Sequence, residues 1–341
     1  MSANGIAHLS TREARQKAKL LQATLKRQGY TLNRDGTTAS GPDTNANFYR
    51  SRNRYDLTEL PTQYVGNTIV NNINEDGLKL GRPWVSFIPS DLFAYGEMGV
   101  WFDPGDITSL FQDAAGTIPV TAPGDPVGKM TDLSGNNRHA TQSTAGKRPI
   151  WRIDPYGYGY LEFDGVDDFM VTSNILWSGF NVSQVTASVG LLVDPTKVTA
   201  GVAICTGGDP NTVNGTFLIG APSSTADHSF YLRGSSTIQA RVANAVVGDD
   251  ILTGVFDIGQ ATKELELIPR LSGTVPSSGA ITWSGTNAGT GTFTTQPLYI
   301  GSLGGTGTFF KGHIYGIVVR GALSTSTEIA NTEAWINRKI D

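Results

Sequence analysis

From Val85 onward the chain is a series of short apolar runs broken by Gly, Pro, Asn, Asp and Ser. GVWFDP, TIPVTAP, GYLEFDG, DFMVTS, ASVGLLVDP, VAICTGG, TFLIGAP, SFYLRG, IQARVANAVV, DILTGVFDIG, KELELIP, ITWSG, PLYIGS and HIYGIVVRGAL supply about fourteen candidate strands. Alternation is clear in YLEFD, where Leu161 and Phe163 point one way and Glu162 and Asp164 the other. Many strands with turn signals at short intervals predict an antiparallel sandwich or jelly roll. No long helical period interrupts them, which argues against a parallel α/β sheet. One helix closes the chain. Thr325 and Glu328 fit a capping box, in which each side chain satisfies the other's backbone N–H, and Ile329, Trp335, Ile336 and Ile340 supply the apolar face.

The first 84 residues follow other patterns. Residues 1–30 contain a basic helix over residues 10–28. Ser10 and Glu13 form its capping box, and Ala14, Ala18, Leu21 and Leu25 make one narrow apolar stripe. Arg12, Arg15, Lys17, Lys19, Lys26 and Arg27 fill much of the remainder, and Gly29 stands where a helix stops. Residues 31–84 hold turn clusters (NRDG, SGPDTNAN) and then dispersed aromatics with no sustained period. Such a length without regular structure is unusual inside a domain. It reads as an extended arm lying on another protein, with a short strand around Thr68–Val70. Its anchors would be Phe48, Tyr49, Tyr55, Leu57, Leu60 and Tyr64, interleaved with Arg50, Arg52 and Arg54. The expected organisation is therefore helix 1–30, arm 31–84 and β domain 85–341.

Charge sharpens this division. Residues 1–84 hold 12 Lys/Arg and 7 Asp/Glu, net +5; residues 85–341 hold 14 and 23, net −9. A basic segment on an acidic body suggests an interaction arm. Its basic residues are not interleaved with stacking aromatics in the helix, so nucleic acid is not the favoured partner. Charged residues are only 16% of the 341, with 41 Gly and 16 Pro, which suits a turn-rich β protein and excludes a charged disordered chain. No apolar run reaches 18 residues, so no membrane span is expected, and the polar start does not read as a signal peptide. The single Cys205 excludes an intramolecular disulfide framework and fits synthesis in a reducing cytosol.

Catalytic patterns are sparse. Glycoside hydrolysis uses two carboxylates. Glu162-Phe163-Asp164 is the nearest approach to a strand-borne pair, and no second Glu follows it. Glu264 and Glu266 alternate in KELELIP with the look of a solvent-facing strand. His8, His139, His228 and His313 are scattered without metal spacing, and neither a G-x-S-x-G elbow nor a P-loop is present. The chain is therefore expected not to be an enzyme and to need no cofactor. Asp164, Asp167 and Asp168 are the clustered carboxylates able to hold a cation such as Ca²⁺, with a tight turn as their alternative role; Asp249 and Asp250 are a weaker pair. Glycan contact would fall to Tyr156, Tyr158 and Tyr160, placed by alternation on one side of a strand, with Trp151 nearby.

The segment from Trp101 to Phe169 resembles the opening of a laminin-G-like, concanavalin A-like jelly roll. The resemblance lies in Trp101 and Asp103 (W-x-D), then Asp132, Ser134, Gly135, Asn136, His139 and Ala140 (D-x-S-G-N-x-x-H-A), then Phe163 to Phe169 (F-D-G-x-D-D and an aromatic). The ending, LYIGS…GHIYGIVVRGALS and a terminal helix, is similar to the last strands of such domains, so the resemblance spans roughly residues 95–339. It implies a jelly-roll sandwich, a loop-base packing role for His139, and calcium at a loop rim in many members. The N-terminal STREARQKAKL and YRSRNRYDLTELPTQY resemble the starts of tailed-bacteriophage structural proteins. That implies a virion accessory or decoration protein, assembled in the host cytoplasm and oligomeric in the particle. Residues 1–84 would anchor it to capsid, neck or tail subunits while the jelly roll projects outward. The alternative is a carbohydrate-binding adhesin head for a host surface glycan; a glycoside hydrolase is less favoured.

Overall fold

The computed structural model describes residues 87–340 except 178–182, 197–198, 223–226 and 244–248, together with the short pairs 73–74 and 77–78. The chain separates into the units Met1–Ser86 and Phe87–Asp341. In the first, β1 (Ile73–Asn74) pairs antiparallel with β2 (Gly77–Leu78). The expected helix over 10–28, the arm anchors and the strand around Thr68–Val70 lie outside the described residues.

The second unit is mainly β. In chain order its strands are β3 (Gly99–Phe102), β4 (Leu110–Phe111), β5 (Lys129–Met130), β6 (Ala140–Thr141), β7 (Ile150–Ile153), β8 (Gly159–Asp164) and β9 (Met170–Thr172). There follow β10 (Ile175–Leu176), β11 (Gln184–Val193), β12 (Val202–Thr206), β13 (Thr216–Gly220), β14 (Asp227–Arg233), β15 (Thr237–Ala243) and β16 (Asp249–Asp257). The last are β17 (Leu267–Leu271), β18 (Ile281–Ser284), β19 (Thr295–Gln296), β20 (Leu298–Ile300) and β21 (Lys311–Arg320), before helix α1 (Ser326–Ile340). One sheet runs β17-β16-β11-β21-β8-β7, with β3 also on β21; the other runs β18-β15-β14-β13-β12-β20-β9-β6-β5-β4. This is the mainly β sandwich with a closing helix that the pattern predicts. Two-residue rungs such as β4, β5 and β6 are too short to leave a visible alternation, which is why the sequence yields fewer strands than are present.

The two sheets face each other across one core. Leu161 and Phe163 of β8 are buried, as are Phe230 and Leu232 of β14, while Glu162 and Tyr231 between them face outward. Phe217 of one sheet stacks on Phe256 of the other, ring centroids 4.9 Å apart. Such a core supplies most of the folding free energy, at about 25 cal/mol per Å² of apolar surface removed from water.

Helix α1 covers the outer face of the smaller sheet. Gly190 of β11 and Gly316 of β21 are register partners. A Cβ on Gly190 would collide with Ile336, and one on Gly316 would lie 3.0 Å from the Trp335 ring, so this glycine pair makes the flat seat on which the helix rests. The capping box forms: Thr325 N donates to Glu328 Oε2 at 2.7 Å and Glu328 N to Thr325 Oγ1 at 3.2 Å. Trp335 meets Trp101 edge-on at 5.8 Å, and Lys339 lies over Trp335 and donates to Asp103 Oδ1 at 2.7 Å. The W-x-D residues are thus the partners of the last helix.

The D-x-S-G-N-x-x-H-A loop is a clamp. Asp132 accepts from the backbone N–H groups of Trp101, Ser134 and Arg138, and its own N–H donates to His139 Nδ1 at 3.1 Å. His139 therefore sits at a loop base, as the resemblance implies. The expectation for KELELIP is corrected. Lys263–Glu266 is a helical turn, and Glu266 is fully buried, accepting from Gly259 N and Ala288 N. Two loop N–H groups needing an acceptor outweigh the local alternation there.

Candidate functional site

Strand pairing sets the site. β8 and β21 run antiparallel with Glu162 opposite His313 and Asp164 opposite Lys311. Because Leu161 and Phe163 fill the core, the alternate positions Tyr160, Glu162 and Asp164 take the outer face. Asp194, at the end of β11, joins them through its N–H, which donates to Lys311 O at 3.1 Å. Glu162, Asp164, Asp168, Asp194, Lys311 and His313 line a cavity of about 340 Å³.

His313, on the cavity wall, belongs to an aromatic stack. Tyr160 and His313 lie face to face, centroids 4.1 Å apart, and Tyr315 tilts against Tyr160 at 5.3 Å. Burial holds His313 below the usual imidazole range, even though Glu162, Asp194 and Asp154 pull the other way. It is therefore a neutral hydrogen-bonding ring at neutral pH. Glu162 pairs with Arg152 at 2.7 Å, both half exposed, and Lys311 lies 3.6 Å from Asp194. Asp168 is buried, and its carboxyl is pushed up to about 7, first by that burial and further by the charges of Asp164, Asp167 and Glu162; a hydrogen bond from Asp164 N opposes the rise.

The predicted cation cluster exists as geometry. Asp164, Asp167 and Asp168 can bring one oxygen each to within 4.8 Å of one another. They also close a turn: Asp164 Oδ1 accepts from Val166 N at 2.8 Å and from Asp167 N at 3.4 Å. Asp250 of the weaker pair is engaged by His228 Nε2 at 3.0 Å and by Ser272 Oγ at 3.0 Å.

The predicted glycan cluster is not assembled. Trp151 is a core residue, 5% exposed, with Nε1 donating to Pro104 O at 3.0 Å. Tyr156 and Tyr158 belong to a turn in which both backbone N–H groups donate to Asp154 Oδ1, ahead of the strand that carries Tyr160. DPYG is a turn sequence, and that chemistry prevails over the period of two. Tyr160 meets the cavity through its stack on His313, which lines it together with Asp194 and Lys311; the sequence pattern singles out none of these three. Glu162 was legible as an outward position of YLEFD, whereas His313 is about 150 positions further along and only register brings the two together. The residues Arg12, Arg15, Leu21, Leu25, Phe48, Tyr49, Arg50, Arg52, Arg54, Tyr55, Leu60 and Tyr64 lie outside the described residues.

No protein-family model and no curated protein matches the chain. Among solved structures, the botulinum neurotoxin serotype D binding domain matches at 6% identity and TM-score 0.46, over 70% of this chain and 52% of that one. The serotype D ligand binding domain in complex with N-acetylneuraminic acid matches at 7% and 0.43, over 60% and 48%. The binding domain of botulinum neurotoxin DC in complex with rat synaptotagmin II matches at 10% and 0.44, over 61% and 49%. The chain thus covers about half the length of these solved structures. At such identities and TM-scores the likenesses decide neither ligand nor partner.

Proposed function

We propose that this chain is a non-enzymatic, glycan-binding β sandwich. The carrying observation is the β8–β21 cavity, where a Tyr160–His313 stack borders carboxylates from Glu162 and Asp194 and the ammonium of Lys311. Sugar hydroxyls donate to carboxylates and accept from ammonium groups, and pyranose C–H faces pack on aromatic rings. Hydrolysis is disfavoured by the engagement of Glu162 with Arg152. The resemblance to laminin-G-like jelly rolls agrees with a binding role. The test is a glycan array on the full chain with Tyr160→Ala and Glu162→Gln. Binding that both variants lose supports the reading. Reducing-sugar release by the unaltered chain would make it a hydrolase instead.

A second reading sets this binding head in a bacteriophage particle. It is favoured by the basic residues 1–84 on an acidic body and by their likeness to the starts of virion structural proteins. On this reading the segment docks on an acidic capsid, neck or tail surface and the sandwich projects as decoration or adhesin.

A further inference from the structure

The two large sheets end in four outer strands, and three of them are closed or guarded. The free side of β7 is occupied by residues 124–127: Pro126 bridges to Ile150, and Trp151 N donates to Asp125 O at 2.9 Å. The free side of β4 is occupied by residues 118–120: Pro119 bridges to Phe111, and Gln112 N donates to Ile118 O at 2.7 Å. β17 carries Pro269, which has no N–H to offer a further strand, and beside it Arg270, which pairs with Glu333 at 2.8 Å. The fourth outer strand is β18, ITWS. Its one strand partner among the described residues is β15, and it holds neither proline nor charge. Ile281 N turns back to Ser278 O, so the alternation of an antiparallel ladder points the N–H and C=O of Trp283 off the edge of the sheet.

Two properties of this edge fit a second copy of the same chain. The first is charge. Residues 85–341 carry net −9, so two copies repel each other over most of their surface. Residues 271–310, by contrast, hold no Asp, Glu, Lys, Arg or His, and 23 of these 40 are Gly, Ser or Thr. β18 lies inside this neutral stretch, and Thr274, Val275, Thr282, Ser284 and Thr286 are exposed there. Arg241, across the ladder from Thr282, is matched by Asp227 4.0 Å away. A two-fold contact sets a strand against its own copy, so an uncharged edge meets itself without repulsion. The second property is the indole of Trp283. Ile281 and Trp283 pack on the core from this outermost strand, yet Trp283 stays only half-buried. Antiparallel pairing about an axis at Trp283 lets the two copies exchange N–H···O=C bonds at that residue. It also brings the two indoles together on the core side and sets Thr282 opposite Ser284 of the partner subunit on the outer side.

We propose that the chain forms a two-fold homodimer in which β18 pairs antiparallel with β18 of a second copy, joining two ten-stranded sheets into one. A ladder of four residues makes this a concentration-dependent dimer. The test is sedimentation equilibrium of the full chain over a concentration series, with two double variants at the exposed positions Thr282 and Ser284. Thr282→Glu with Ser284→Glu sets like charges opposite each other across the axis. Thr282→Glu with Ser284→Lys sets opposite charges there. The unaltered chain should dimerise, the first double variant should weaken the dimer tenfold or more, and the second should restore it. Restoration also shows that substitution at these two positions leaves the strand intact. A chain that stays monomeric at every concentration overturns the proposal. Association of equal strength in all three proteins overturns it too, because another surface then carries the contact. If both double variants weaken the dimer alike, β18 does not pair with its copy in this way and the proposal falls.

Discussion

Tyr160 and His313 stand on adjacent antiparallel strands with their rings 25° from parallel and centroids 4.1 Å apart. Stacked aromatic pairs contribute about 0.5–1.5 kcal/mol beyond their buried area. On the glycan-binding reading, His313→Ala should therefore weaken sugar binding about tenfold through loss of the ring that supports Tyr160, whereas His313→Phe should keep the stack and lose only the polar contact. Because burial lowers the His313 pKa, the unfolded chain takes the proton first on acidification. Its contribution to stability is whole above the ordinary imidazole value near 6.5 and is lost as pH falls from there through the lower value of the folded state. Nuclear magnetic resonance titration of the His313 ring checks this directly; a midpoint above 6.5 would contradict it.

Asp168 works in the opposite sense. Its carboxyl rises from 3.8 to about 7 in the folded protein. The folded state then holds a proton that the unfolded state has released, so this contribution is full below pH 3.8 and disappears as pH rises through 7. About three pH units at about 1.4 kcal/mol each set an upper bound near 4 kcal/mol. Urea midpoints at pH 5 and pH 8 should differ, and Asp168→Asn should shrink that difference. An unchanged difference in the variant would remove Asp168 as the cause.

The Gly190–Gly316 seat makes the closing helix sensitive to added volume. Gly190→Val should destabilise by about 1–3 kcal/mol through overpacking against Ile336. Trp335→Ala should cost about 3–5 kcal/mol through the cavity it leaves among Trp101, Phe93 and Tyr315. Guanidinium unfolding midpoints read both changes, and a midpoint unchanged in Gly190→Val would mean that the helix does not rest there.

Two ion pairs should differ sharply in weight. Arg320 donates to Glu97 at 2.6 Å, and Glu97 is 2% exposed. Burial alone would raise the Glu97 pKa, yet the Arg320 bond and the N–H of Tyr95 hold it below the usual carboxylate value. Arg320→Met leaves that carboxylate buried and unpaired, and about 3–5 kcal/mol should be lost. Arg152→Met at the half-exposed pair with Glu162 should change stability by less than about 1 kcal/mol.

Residues 87–340 contain a continuous core of their own. A chain begun at Val85 should therefore keep the thermal midpoint of the full chain. On the virion reading it should also fail to join particles in a complementation assay; incorporation at full occupancy would refute the anchoring role of residues 1–84.

Features that depend on neighbours along the chain are legible locally. Alternation in YLEFD assigned Leu161 and Phe163 to the core, Thr325 and Glu328 marked the start of the last helix, and punctuation by Gly and Pro announced a many-stranded sandwich. The local pattern misreads places where distant groups impose the outcome: Glu266, drawn inward by two loop N–H groups, and Trp151, drawn inward by Pro104 O. The candidate sites belong wholly to the second kind. Glu162 meets His313, and Trp283 reaches an open sheet edge, through strand order and register. Register is set by how two sheets close over one core, and no local period along the chain encodes it.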